Sequence, residues 1–459
     1  MPSKKLFVRD LRDIKRILSK FHFCSIGDLP FFINGLEKLV PYYTFITTGT
    51  RTNRIAPSNV KVLLARRPSD PILKSSAEVL KKPEIISSLK RFRVRPSLIT
   101  YEFNQETVDI CKRYGWDILG NRPDLKVWLE NKANFPRILK EANICGPECS
   151  IIKPAKIDEL HKKWKVPFVV QRITNDLNGK GTFFVNSVAD LPAIKVACAD
   201  DALVKVTRFV NGYSVNTSAC VTRFGVLLAR YLHQLVGVKD LIDIRGGYCG
   251  NDTFLSFHLN PDIESMLYDL TTRIGMVLHR YGFRGCYGID FVVSEKGYPY
   301  PIELNPRFQT TTGLLNAVQL KMDGIPFLAF HILEHLEIPY QVDVENYNRT
   351  SIKIPLVDHS QMVIHQKQSE GAVRISLKPG IYEIKSGGLH YREAGFSIDD
   401  IKDKHSFLVT RLLEKGQLLP PNAMMHIVQF QQGILRDYCI LTDFATEVCH
   451  LIRSTVVDG

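Results

Sequence analysis

The segment Gly288-Ile-Asp-Phe-Val-Val-Ser-Glu-Lys-Gly-Tyr-Pro-Tyr-Pro-Ile-Glu-Leu-Asn-Pro-Arg307 constrains this chain more than any other. Two alternating apolar runs flank Lys296-Gly297, and a glycine there supplies the positive φ that a two-residue hairpin turn needs. A turn at that place predicts a hairpin over 288–304 in which Asp290 directly faces Glu303, with Asn305 further along the same face. Like charges so opposed destabilise a sheet unless something lies between them. Two carboxylates and an amide oxygen make a hard oxygen set suited to Mg2+ (or Mn2+), with phosphate oxygens completing the octahedron. Arg307, just beyond, is placed to neutralise charge growing on a transferring phosphoryl group. An isolated pattern of this kind is more often a solvated surface hairpin. Here Phe291, Val293, Ile302 and Leu304 alternate with the acids, which predicts a half-buried one.

A chain of 459 residues exceeds one compact core, so two to four domains are expected. No run approaches the ~20 apolar residues of a membrane span. The start, MPSKKLFVRDLRDIKRILSK, carries charge throughout and no apolar core of a secretory signal. Ten scattered cysteines with no CxxC pair favour free thiols in a reducing cytoplasm. The net charge of +13 resides in residues 1–95, which hold 20 Lys and Arg against 7 Asp and Glu. Such a lobe admits nucleic acid or another anionic partner, but no basic stripe interleaved with aromatics is present, and a solvated face is favoured.

Along the chain, residues 4–20 read as an amphipathic helix. Tyr43–Thr47, Val60–Ala65 and Leu98–Tyr101 read as buried strands, and Glu106–Tyr114 as a helix closed by Gly115. This rhythm predicts a small open parallel sheet ending near residue 120. Asp124–Ala142 reads as helix interrupted at Pro136. Two strand pairs are then expected, 167–173 with 181–186 and 202–210 with 214–222, and a long helix over 263–281 follows. After a connector at 337–355 the tail is strand-rich.

Several of these segments resemble parts of the ATP-grasp superfamily, over roughly residues 43–340. Asn131-Lys132-Ala133 is similar to the family's entry into the nucleotide lobe, which implies that Lys132 contacts a phosphate. Val166–Gln171 resembles the first lobe strand, and Asn178-Gly-Lys-Gly-Thr182 the glycine-rich loop over the phosphates, implicating Gly179, Lys180, Gly181 and Thr182. Val206–Val210 resembles the interlobe hinge, where the backbone of Arg208, Phe209 and Val210 would bond adenine. Asp290, Glu303, Asn305 and Arg307 fall on the family's metal ligands and "ExNPR" ending. Many relatives end the first strand in lysine where this chain has Gln171, and Lys180 or Lys205 is the candidate to supply that charge.

The fold implied is α/β, built of α+β lobes. A small, basic, Rossmann-like pre-ATP-grasp domain (1–120) precedes an ATP-grasp domain (121–340), with its nucleotide lobe at about 150–212 and its metal lobe at about 213–340. A strand-rich C-terminal domain (345–459) follows. The function implied is ATP- and Mg2+-dependent ligation of a small carboxylate to an amine through an acyl phosphate. The glycine-rich loop looks most like that of pheganomycin-type peptide ligases. The alternatives are a nucleotide-binding regulator without turnover and a carboxyphosphate-using carboxylase; a homodimer stays open.

Other patterns are read as structural. His331-Ile-Leu-Glu-His335 matches a zinc-protease string, but its helix is otherwise apolar, so packing histidines are expected. The Gly-Lys pair of the loop lacks the earlier glycine of a P-loop, and no GxGxxG occurs. Cys145 and Cys149 lie beside Gly-Pro and read as free thiols. Arg245, in a polar glycine-rich loop, is a candidate for holding a substrate carboxylate or acyl phosphate, with a plain surface loop equally expected.

Overall fold

The computed structural model describes residues 6–27, 34–48, 56–66, 73, 75–165, 167–173, 179–254, 258–354, 359–367, 369–410 and 413–457. The first helix is shorter than its apolar spacing predicts. Asp10 accepts from the N–H groups of Arg12 and Asp13 and starts α1 at Leu11–Leu18, while Leu6–Phe7 is extended. Next come β1 (His22–Gly27), β2 (Tyr43–Thr47), β3 (Val60–Leu64) and β4 (Pro96–Thr100). They are followed by α2 (Gln105–Tyr114) and β5 (Asp117–Ile118). These strands form a parallel sheet in the order β3-β2-β1-β4-β5. Every residue of β2 and β4 is buried, as a sheet covered on both faces requires.

Two short helices replace the single interrupted one: α3 (Pro123–Glu130) and α4 (Phe135–Glu141). Pro136 lies in the first turn of the second helix rather than breaking a longer one, because that turn does not need its N–H. Lys132 sits in the gap, its N–H on the Ile173 carbonyl at 3.3 Å.

The next unit is a four-stranded antiparallel sheet of β6 (Cys149–Ile152), β7 (Phe168–Arg172), β8 (Thr182–Val185) and β9 (Val204–Arg208). Between them run α5 (Ile157–Trp164) and α6 (Leu191–Ala197). Its order is β6-β9-β7-β8. Phe168, Val170, Val185, Val204 and Val206 pack with the helix residues Leu160, Trp164, Leu191 and Ile194. Strand alternation therefore turns Val169, Gln171, Phe184, Lys205 and Thr207 to the opposite face.

The expected pairing of 202–210 with 214–222 does not occur. The strand β9 stays in the small sheet, and β10 (Gly212–Thr222) enters another with β11 (Leu232–Val236) and β12 (Tyr248–Asp252). Beyond the helix α7 (Pro261–Arg280) lie β13 (Gly285–Ser294), β14 (Pro299–Asn305) and α8 (Phe327–His335). The reason is burial: residues 215–222 of β10 are all buried, and the strand pairs with β13 from Gly212 to Val221. The tail adds β15 (Ser360–His365), β16 (Gly380–Lys385), β17 (Gly388–Glu393), β18 (Ser406–Val409) and β19 (Met424–Phe430). A small hairpin of β20 (Leu435–Asp437) and β21 (Ile440–Leu441) follows. The five longer tail strands, β15 to β19, make no separate sheet. Pairing of β12 with β15 joins them into one 11-stranded antiparallel sheet, β14-β13-β10-β11-β12-β15-β19-β18-β16-β17, with a further short strand on β10. Among the described residues no helix is long and apolar enough to cross a membrane.

Candidate active site

The hairpin β13–β14 opposes Asp290 and Glu303, by a route that differs from the expected one. The turn holds three residues rather than two: Ser294 and Tyr298 pair, and Gly297 takes φ +82°. That shifts the register by one. A bulge between Asp290/Phe291 and Glu303/Pro301 leaves Ile302 unpaired and shifts it back. The carbonyl of Ile302, released from the ladder, accepts the Lys205 ammonium at 2.9 Å.

Amides surround Asp290. Asn216 donates to its Oδ1 at 2.6 Å and Gln234 to the same oxygen at 3.3 Å, while Asn305 donates to Oδ2 at 3.1 Å. Burial, and next the facing Glu303, raise the Asp290 carboxyl to about 6, against the pull of the Asn216 and Asn305 bonds. Glu303 pairs with buried Lys132 at 3.4 Å. The donors left for a cation are the remaining lone pair of Asp290 Oδ2, the second oxygen of Glu303 and the Asn305 carbonyl oxygen. That is a hard, incomplete oxygen set, which phosphate oxygens and water would complete, so the residues fit Mg2+. Among the described residues no cluster of three or more His, Cys, Asp or Glu side chains offers a self-sufficient cage.

These groups line a cavity of about 470 Å3 between the large sheet and the inner face of the small one. Lys132, Gln171, Gly179, Thr182, Arg208, Phe209, Val210, Arg245 and Arg307 share its wall. Lys180, Gly181 and Lys205 do not. Lys180 is exposed, and Asn178 lies outside the described residues. Gly179, at φ +73°, packs so closely on Gly246 that a Cβ would lie 2.4 Å from the Gly246 oxygen. The Arg208 side chain turns to Glu148 and the Trp164 ring, leaving its backbone to the cavity. Arg245 lies 4.4 Å from the Phe184 ring centre and donates to Asn186 at 3.1 Å, bracing the small sheet. Arg307 stacks on Tyr101, hydrogen-bonds its hydroxyl, and pairs with Glu130 at 3.4 Å.

Sequence reasoning missed Asn216, Gln234, Tyr101 and Glu130. Asn216 stands opposite Asp290 only because β10 pairs with β13. It missed the tail as well: Tyr438 and Cys439, at the tip of the β20–β21 hairpin, line the cavity. The Tyr438 carbonyl meets His233 Nε2 at 2.7 Å, and its ring stacks on Tyr213 at 4.8 Å.

A family model described as an ATP-grasp domain matches residues 129–311. The chain carries an ATP-grasp domain. The ATP-grasp fold also appears in the solved structures that resemble it. Biotin carboxylase of Campylobacter jejuni is 12% identical with a TM-score of 0.61, covering 90% of this chain and 87% of that one. N5-carboxyaminoimidazole ribonucleotide synthetase of Thermotoga maritima is 13% identical at TM-score 0.54, covering 95% and 99%. L-amino acid ligase of Bacillus licheniformis is 12% identical at TM-score 0.55, covering 90% and 93%. At such identities the likeness is one of fold. No curated protein matches the chain in sequence.

The histidines of α8 belong to the packing around this ATP-grasp domain. His331 Nδ1 accepts the Cys286 N–H at 3.1 Å, so Nε2 carries the proton and donates to the Leu119 carbonyl at 3.1 Å. Glu334 accepts from Arg223 at 3.1 Å and from Tyr340 at 2.6 Å. Burial depresses His331 well below its ordinary value and His335 to about 4. Stability from the neutral imidazole is therefore fully present above the unfolded value of 6.5 and lost as pH falls toward 4. Thermal melts of His335→Gln should show a flatter acid limb than the parent, by about 3 kcal/mol between pH 7 and 4. Superimposable acid limbs would refute this assignment.

Proposed function

We propose that the chain is an ATP-dependent ligase that activates a substrate carboxylate as its acyl phosphate and joins it to an amine. The carrying observation is the opposed Asp290–Glu303 pair with Asn305, set in a cavity wall facing Gln171, Thr182 and the 208–210 backbone. The site is reached only with contributions from all three expected parts of the chain: 1–120 (Tyr101), 121–340 and 345–459 (Tyr438).

In this reading the nucleotide base lies against Val169, Val292 and Ile302, within reach of the hinge backbone, and the phosphates run toward Lys132. Asp290, Glu303 and Asn305 would hold Mg2+, which supplies charge neutralisation at the β- and γ-phosphates. Hydrogen bonds donated by the Asn216 and Asn305 amides fix the Asp290 carboxylate before any ligand arrives, so little reorganisation remains. Arg307, held by Tyr101 and Glu130, faces the position where negative charge spreads as a carboxylate oxygen attacks the γ-phosphorus and ADP departs. An amine then attacks the acyl carbon and phosphate leaves. Closure of the 179–182 loop on Gly246 excludes water from that intermediate.

The test is ADP release from Mg·ATP with pooled amino acids, short peptides and a metabolite extract, with product masses and a bicarbonate-free arm. ADP that depends on the pool, with a product heavier by the joined amine, supports the ligase. Strict dependence on bicarbonate would favour a carboxyphosphate route. Silence alongside a Mg·ATP-dependent rise in Tm would favour a regulator.

A further inference from the structure

A second cavity of about 470 Å3 adjoins the first, sharing Gln171, Thr207 and Ile302 with it. Its wall combines apolar Phe135, Leu139 and Ile144 with Lys140 and Lys205, and among the described residues includes no acid. Lys205 is 4% exposed. An ammonium has three N–H donors, and one of them reaches the Ile302 carbonyl. The Phe135 ring centre lies 5.7 Å away. The nearby carboxylate, Glu303, attracts Lys205 through space but is in contact with Lys132 instead, so among the described residues none forms an ion pair with Lys205. A buried cation with no counter-charge in contact is unfavourable, and an anion arriving in this cavity would lessen that penalty.

We propose that this cavity binds a small organic carboxylate with an apolar body, the carboxylate on Lys205 and the body against Phe135, Leu139 and Ile144. Its volume lies in the range of small-molecule sites. The occupant is distinct from the nucleotide, and to that extent the proposal rests on the first cavity being the nucleotide site. Lys205 ties the two together, because its bond to Ile302 holds the bulge beside Glu303.

The chain carries its own reporters. Of its ten cysteines two are exposed: Cys145 lines the second cavity, and Cys439 lines the first. The full-length protein would be alkylated with N-ethylmaleimide and each site followed by peptide mass spectrometry. The probes are 1-naphthylacetate, its neutral amide and Mg·ADP. Near saturation, 1-naphthylacetate should slow Cys145 alkylation roughly tenfold and leave Cys439 unchanged, while the amide protects neither. Lys205→Met should abolish that protection. Mg·ADP should slow Cys439 alone. Equal protection of Cys145 by acid and amide, no protection by either, or protection of Cys145 by Mg·ADP would each overturn the proposal. A Cys439 rate indifferent to Mg·ADP would instead count against the nucleotide reading, and the acid–amide comparison at Cys145 would still decide the second cavity.

Discussion

Glu303→Gln is expected to lower the rate of ADP formation by on the order of 10²–10³-fold while changing the stability of the metal-free protein little, because relief of the opposed Asp290 offsets loss of the counter-charge to buried Lys132. The substitution keeps the shape of the side chain and removes the charge that faces Asp290 and pairs with Lys132. Because Glu303 is one of the causes that raise Asp290 to about 6, its neutralisation eases ionisation of Asp290 in the empty site. In the proposed site the cation would lose a ligand at the same time. Melting curves with and without Mg·ADP separate the two effects: the parent should gain stability with Mg·ADP and the variant should not. A variant that forms ADP at the parental rate, or keeps the full Mg·ADP shift, would remove this pair from the metal site.

Arg307→Met is expected to lower the same rate by on the order of 10²–10³-fold but to retain most of the Mg·ADP stabilisation. The guanidinium is already oriented by Tyr101 and by Glu130 at 3.4 Å, so in the proposed reaction it would meet developing charge without rearranging. Its removal also leaves Glu130, among the described residues, with only Lys126 as an ion-pair partner, at 3.6 Å. Burial already raises the Glu130 carboxyl, so Glu130 can take a proton and limit the stability loss to about 1–2 kcal/mol. Tyr101→Phe keeps the charge and removes one hydrogen bond, costing about 1 kcal/mol and less activity. A normal rate in Arg307→Met, with product mass unchanged, would assign Arg307 to packing alone.

The parts of the site that lie within a few residues of one another were open to sequence reasoning, because local periodicity decides which side chains share a face. Alternation of Phe291 and Val293 with Asp290, and of Leu304 with Glu303 and Asn305, puts the polar set on one side of a half-buried hairpin wherever that hairpin lies in the protein. Capping chemistry was equally local, as with Gly115 closing α2 at φ +69°. Even here the detail was not: a three-residue turn and a bulge offset one another, and the expected opposition survived although each of its steps differed.

Long-range choice of partner was beyond reach, because a buried strand presents similar apolar alternation to any neighbour. The residues of β10 read as the partner of β9, yet their burial on both sides draws them to β13, and that choice brings Asn216 onto Asp290. Tyr101, Glu130 and Tyr438 come from segments remote in the chain, and only packing of the parallel sheet, α3 and the tail hairpin against the hairpin face brings Tyr101 and Tyr438 to the cavity and Glu130 onto Arg307. Sequence by itself thus determined which side chains of the β13–β14 hairpin share a face, since that follows from neighbouring residues. The tertiary structure alone decided what surrounds that chemistry, because sheet pairing and burial are settled by free energy summed over the whole core.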